Sequence, residues 1–106
     1  MQFRGGINEL MRQAARVQRK IDEAKAAAKD KEVTASAVGD KVKATVTLGR
    51  SVTKIEVDPA FAKSESLDLV LDGVCAAVNA GLAEADKAME AELEKATGGV
   101  KIPGMF

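Results

Sequence analysis

Ile7, Leu10, Ala14, Val17, Ile21, Ala24 and Ala28 recur at alternating spacings of three and four. This is a heptad spacing held over three repeats, and it predicts one helix over about residues 6–30. Gly5-Gly6 or Asn8 can open that helix. Lys25, Lys29 and Lys31 suit its C-terminal end, where the helix dipole favours cations. A second helix is expected over about 66–96, with Ser64 or Ser66 as its cap and Gly98-Gly99 as its stop. Leu67, Leu71, Val74, Val78, Leu82, Ala85, Met89 and Leu93 form its apolar stripe. Gly73, Ala77 and Gly81 follow one another at four-residue intervals on a neighbouring face. Glycine inside a helix costs about 1 kcal/mol relative to alanine. Either these glycines are merely tolerated, or they form a small-residue ridge that lets another helix come close.

Between the helices the period changes from 3.6 to 2. Val33, Ala35 and Ala37 alternate with polar residues from Glu32 to Val38. Val42, Ala44, Val46 and Leu48 alternate with Lys41, Lys43, Thr45 and Thr47. Gly39-Asp40 joins the two runs as a hairpin turn. A third run holds Val52, Ile55 and Val57, with a break of parity between Val52 and Ile55. A bulge or shifted strand start near Gly49–Ser51 accounts for it. Asp58-Pro59 stops the strand, and Phe61 after it reads as core. The expected fold class is α+β: a long helix, a three-stranded antiparallel β-meander and a long helix. All 106 residues form a single domain, with a loose C-terminal tail over about 98–106.

The lengths do not match. At 1.5 Å per residue the helices measure about 37 and 46 Å. Seven-residue strands reach only about 23 Å. The helices must overhang the sheet, so their apolar residues need cover elsewhere. The first helix can pair antiparallel with the second, or with another copy of the chain. A homodimer with helical arms is the economical solution.

Composition narrows the chemistry. The chain has no histidine and one cysteine, Cys75. The commonest general base and metal ligand is therefore missing, and a Cys-His pair or thiolate-rich zinc site cannot form. No phosphate loop, GxGxxG or nucleophile elbow is present. Neither catalysis, a cofactor, a metal nor a small-molecule substrate is expected. Cys75, mid-helix among alanines, reads as an inert packing residue. No apolar run approaches the roughly 20 residues of a membrane span, and the N-terminus lacks a signal peptide's apolar core.

Charge is distributed unevenly. Residues 1–57 hold 12 Lys/Arg against 7 Asp/Glu, and residues 58–106 hold 4 against 9. Arg12, Arg16 and Arg19 lie at i, i+4 and i+7, off the apolar seam, with Lys20 adjacent. They form a stripe about 10 Å long, on the scale of two phosphates along one DNA strand. One reading is a solvated face paired with Glu9, Asp22 and Glu23. The other is contact with a polyanion. Lys41, Lys43 and Lys54 add charge from the sheet but also serve as edge-protecting lysines. Base stacking on single strands is not expected, because Phe3, Phe61 and Phe106 do not interleave with the stripe.

The opening GGINELMRQAARVQRKI, the stretch VKATVTLGRSVTKIEVDPAF, the segment NAGLAEADK and the tail GGVKIPGMF together resemble the YbaB/EbfC family of bacterial nucleoid-associated proteins. The resemblance covers nearly the whole chain in order. It implies a tweezer-like homodimer in the cytoplasm, associated with the nucleoid. It implies binding of double-stranded DNA through helical arms, without catalysis. Family members can carry basic residues on the last helix, whereas Ala83-Glu84-Ala85-Asp86-Lys87 stands there in this chain. The DNA-contacting role therefore passes only to the first helix. Arg12, Arg16, Arg19 and Lys20 are expected to neutralise phosphates, with Arg4, Lys25 and Lys29 extending the field. Little sequence preference is expected, in service of chromosome organisation or gene regulation. The rival expectation is a dimeric protein-interaction scaffold whose basic stripe only aids solubility.

Overall fold

The computed structural model describes residues 2–99, with side chains from residue 6 onward. The side chain of Arg4 and the tail residues 100–106 lie outside the described residues. The elements are α1 (Gln2–Ala28), β1 (Glu32–Ala37), β2 (Val42–Thr47), β3 (Val52–Val57), α2 (Pro59–Ser64) and α3 (Leu67–Ala96). The strands form one antiparallel sheet in the order β1-β2-β3. This is the α+β arrangement expected from the change of period. Two details at the helix starts differ from expectation. Helix α1 runs through Gly5-Gly6 instead of starting there. Asp58-Pro59 does more than end a strand: Asp58 accepts the Ala60 N–H at 3.2 Å and Pro59 takes the first helical position, so a short helix α2 begins.

The bulge is real, but it lies inside β3. Thr45 pairs with Lys54 and Val46 with Val52, which leaves Thr53 as the extra residue. That insertion returns Val52 and Ile55 to one face, opposite Val46 and Ala44. The hairpin end fixes its place. The N–H of Arg50 donates to the Thr47 carbonyl at 2.9 Å, and the N–H of Thr47 to the Ser51 carbonyl at 2.8 Å. Arg50 takes the left-handed position of this turn, at φ 72°.

Helix α3 lies over β1 and β2. Its buried residues are Gly73, Ala77, Gly81, Ala85 and Leu93. The small-residue ridge thus exists, but a sheet approaches it and not another helix. A Cβ on Gly73 would stand 3.1 Å from Val42 Cγ2, and one on Gly81 would stand 3.3 Å from both Val46 methyls. Val42, Ala44 and Val46 are fully buried against this ridge. Val74 and Val78 pack beside this ridge, but other large residues are turned aside. Leu67, Leu69 and Leu71 are exposed, as is Cys75, which therefore has no packing role within the protomer. Strand β3 is left largely uncovered, so Val52 and Ile55 are exposed although they share the inner face.

Helix α1 enters the sheet beside the β2–β3 turn, and α3 leaves past the same turn, so the two run antiparallel. The N–H of Gly49 donates to the Lys29 carbonyl at 3.0 Å, and that of Leu48 to the Lys31 carbonyl at 2.9 Å. A Cβ on Gly49 would stand 3.1 Å from the Lys29 oxygen, so glycine permits this approach. Along α1, Ile21 and Ala28 are buried and Val17 and Ala24 half-buried, while Ile7, Leu10, Met11 and Ala14 are exposed. Only the second half of the heptad seam is used within the protomer. The first half projects as an arm. The molecule is accordingly 76 Å long with a radius of gyration of 20.1 Å, against about 13 Å for a compact domain of this size.

Replacing Gly81 by leucine tests the ridge. Helix propensity gains about 1 kcal/mol. Overpacking against the stiff Val46 costs about 1–3 kcal/mol, with more than a single methyl to accommodate. Urea unfolding is expected to show a lower midpoint for Gly81→Leu, while Ala83→Leu, on the exposed face two residues later, leaves it nearly unchanged.

Candidate nucleic-acid interface

At about 100° per residue, Arg12, Arg16 and Arg19 fall within roughly 60° of one another on α1. The apolar seam lies on the opposite side of the helix. All three arginines and Lys20 are exposed. Arg12 and Arg16 stand on the projecting arm, and Arg19 and Lys20 stand where α1 begins to pack.

The carboxylates expected to neutralise this stripe mostly do not. Arg12 comes to 3.7 Å from Glu9, a long and exposed pair. Asp22 instead accepts a hydrogen bond from Gln18 at 2.9 Å. Among the described residues, no carboxylate lies within ion-pair distance of Arg16, Arg19, Lys20, Lys25 or Lys29.

Elsewhere, many cations have partners. Lys31 Nζ lies 3.0 Å from Glu92 Oε1, Lys41 Nζ 3.2 Å from Asp58 Oδ2, and Lys54 Nζ 3.1 Å from Glu56 Oε1. The Arg50 guanidinium donates to both oxygens of Asp86, at 2.6 and 2.5 Å. This pairing, made through the one nitrogen Nη1, raises the Arg50 pKa still further, first through the hydrogen bond and then through the charge of Asp86. Lys43, Lys63 and Lys87 have no such partner among the described residues, but they are scattered over β2, α2 and α3.

Lys25 and Lys29 do not join the arginine stripe. They lie roughly 140° away around α1. They rim a cavity of about 580 Å³ between α1, the β2–β3 turn and α3, together with Arg50 and Asp86. Arg50 is the cation that sequence reasoning passed over. Its left-handed turn position and its partner 36 residues away leave no periodic signal.

A model of the YbaB/EbfC DNA-binding family matches residues 3–100. The chain belongs to that family. It is similar to a nucleoid-associated protein of Acetivibrio thermocellus, 36% identical over 105 residues, covering 98% of this chain and 93% of the relative. A nucleoid-associated protein of Alkaliphilus metalliredigens is 34% identical over 100 residues, covering 94% of this chain and 88% of the relative. A third, of Agathobacter rectalis, is 34% identical over 96 residues, covering 91% and 85%. Among the described residues of this YbaB/EbfC member, no helix is long and apolar enough to cross a membrane.

The Lys31–Glu92 pair gives a pH test of the fold around the site. The Lys31 hydrogen bond and charge, then the charge of Lys95, hold the Glu92 carboxyl below its ordinary pKa. A carboxylate with a depressed folded-state pKa stabilises fully above its unfolded pKa. The stabilisation is lost as pH falls through the folded value. Glu92→Gln is therefore expected to unfold at a slightly lower urea concentration than the native protein near pH 7. The gap should close as both are taken below the ordinary glutamate range.

Proposed function

We propose that this chain is a nucleoid-associated protein that binds double-stranded DNA as a homodimer, largely through phosphates and with little sequence preference. The unneutralised cationic face of α1 carries the reading: Arg16, Arg19 and Lys20, with Arg12 only weakly paired, on a helix that projects beyond its own core. Cations without carboxylate partners are available to displace counterions from a polyanion. The family and the names of the relatives favour DNA as that polyanion. Lys25 and Lys29 widen the field from a second face, and the role proposed for Arg4 follows from its position near the start of α1. The reading includes no catalysis, cofactor or small-molecule substrate. Chromosome organisation or gene regulation in the cytoplasmic nucleoid is the setting it implies.

The second copy has a surface to cover. Leu67, Leu69 and Leu71 on α3 and Val52 and Ile55 on β3 are exposed large apolar residues beside an uncovered inner sheet face. Exposed large apolar residues of this kind are what a second protomer could cover. Sedimentation equilibrium at micromolar concentration is expected to give twice the protomer mass. The double change Leu71→Asp and Ile55→Asp should reduce it to one. A native protein that sediments as a monomer removes the dimer from this reading.

Arg12, Arg16 and Arg19 replaced together by alanine should weaken binding to unrelated duplexes about equally, because phosphate contacts carry no sequence information. Removing each arginine–phosphate interaction should reduce the slope of log K against log salt by about 0.9. In a dimer engaging both arms, the triple change removes up to about six such interactions. Fluorescence anisotropy over a salt series measures this, with circular dichroism to establish folding. Unchanged affinity and slope in the folded variant would favour a protein-interaction scaffold instead. A weakening confined to one duplex sequence would show that these arginines read base edges.

A further inference from the structure

The projecting half of α1 has two faces. Glu9, Arg12 and Arg16 are the charged residues between positions 6 and 17, and they fall within roughly 60° of one another. The rest of the circumference is uncharged. On it Ile7, Leu10 and Met11 are 55%, 65% and 66% exposed, Ala14 is exposed and Val17 is half-buried. We propose that this seam is a second self-interface: on DNA, the arms of two chains pair antiparallel through Ile7, Leu10, Ala14 and Val17, with their arginines turned outward toward two separate duplexes. The inference rests on the DNA-binding reading above.

The seam is continuous with one already in use. Ile21 and Ala28, in the same heptad, are buried where α1 packs on α3. Toward the N-terminus the spacing goes on, but the residues are exposed. A heptad seam is a surface for another helix. In antiparallel order Ile7 of one chain faces Val17 of the other, and Leu10 faces Ala14, large against small. Symmetry repeats both contacts. The direction follows from α3, which already occupies the seam around Ile21. A parallel partner would drive its own body into that helix, whereas antiparallel pairing sets the two bodies at opposite ends. Charge permits the contact. The positions flanking the seam, where coiled coils commonly carry charges, are Gly6, Met11 and Gln13 here. Two cationic helices can therefore meet on this side without placing like charges together.

The contact is short. Residues 7–17 form about 16 Å of helix, too little to bury the roughly 1,200 Å² of a stable interface. The pairing is accordingly weak in free solution. Chains held side by side on DNA by their arginine stripes bring their arms to high local concentration, and there the seam closes.

Cross-linking tests this. In a Cys75→Ser background, Ile7→Cys and Val17→Cys are introduced into one chain. They stand about 15 Å apart along α1, too far to join within it. Oxidised on duplex DNA, the chains are expected to run at twice the protomer mass on a denaturing non-reducing gel. Ile7→Cys alone should give no such band, and adding Leu10→Asp to the pair should remove it while circular dichroism stays native. Absence of the band from a chain that fluorescence anisotropy shows bound to duplex overturns the pairing. So does a band that survives Leu10→Asp, or one formed by Ile7→Cys alone. A chain that does not bind duplex removes the DNA reading instead; oxidation at millimolar concentration without DNA then decides the pairing, and no band overturns it. A second measurement needs no cysteine. The native protein is expected to bind long duplexes cooperatively, and Leu10→Asp to lower the Hill coefficient to about one. Non-cooperative binding by the native protein overturns the proposal.

Discussion

The approach of α3 to β2 depends on what α3 lacks at that point, which is side-chain bulk. Gly73, Ala77, Gly81 and Ala85 occupy successive turns on one line, and Val42, Ala44 and Val46 fill the space they leave. Two helix-interior glycines cost about 2 kcal/mol in propensity. The close approach they allow seals the centre of a very small sheet. The same choice fixes everything around it. With the small ridge turned inward, Leu67, Leu69 and Leu71 are left exposed, and one helix is too narrow to cover three strands. The exposed apolar surface is thus a consequence of the packing solution, and a second protomer is the natural remedy.

Charge follows a parallel division. Around the sheet and α3, basic groups are tied to acidic ones across elements: Lys31 to Glu92, Lys41 to Asp58, Arg50 to Asp86. Exposed pairs of this kind add little to stability. Their effect is on the field: each partner carboxylate cancels locally the positive charge of the cation it holds. The stripe on α1 has no such partners among the described residues beyond Glu9. A neutral chain overall therefore presents a cationic helix. The long-range attraction for a polyanion then comes from one element and not from the net charge.

The helices and strands were legible because each rests on a local period. The heptad seam from Ile7 to Ala28 and the alternation from Val42 to Leu48 survive in the structure as faces. The arginine stripe was legible for the same reason. Features that depend on the partner across a gap were not. A line of small residues announces a close approach but does not say by what, and here the sheet took the place expected of a helix. The heptad seam could not reveal that only its second half finds a neighbour, because that depends on where α3 ends. The parity break between Val52 and Ile55 announced a bulge, but the closure of Thr47 with Ser51 and Arg50 placed it at Thr53. Helix α2 was readable in hindsight, since Asp followed by Pro caps a helix as well as it ends a strand.

The arm completes the argument from constraint to function. Helix α1 is held at its C-terminal end by the Gly49 and Leu48 amides and by the burial of Ile21 and Ala28. Residues 6–16, about 16 Å of helix, are all exposed within the protomer. A helix anchored at one end carries its charges away from the core with its direction still set by that core. The arginines can then meet a large ligand without any packed residue having to move. Their removal should change binding more than folding, because they stand opposite the seam that anchors the helix. A compact domain with the same composition would have to place its cationic face over its own core, where the facing carboxylates of the sheet and α3 would compete for it. Overhang is what keeps the two apart.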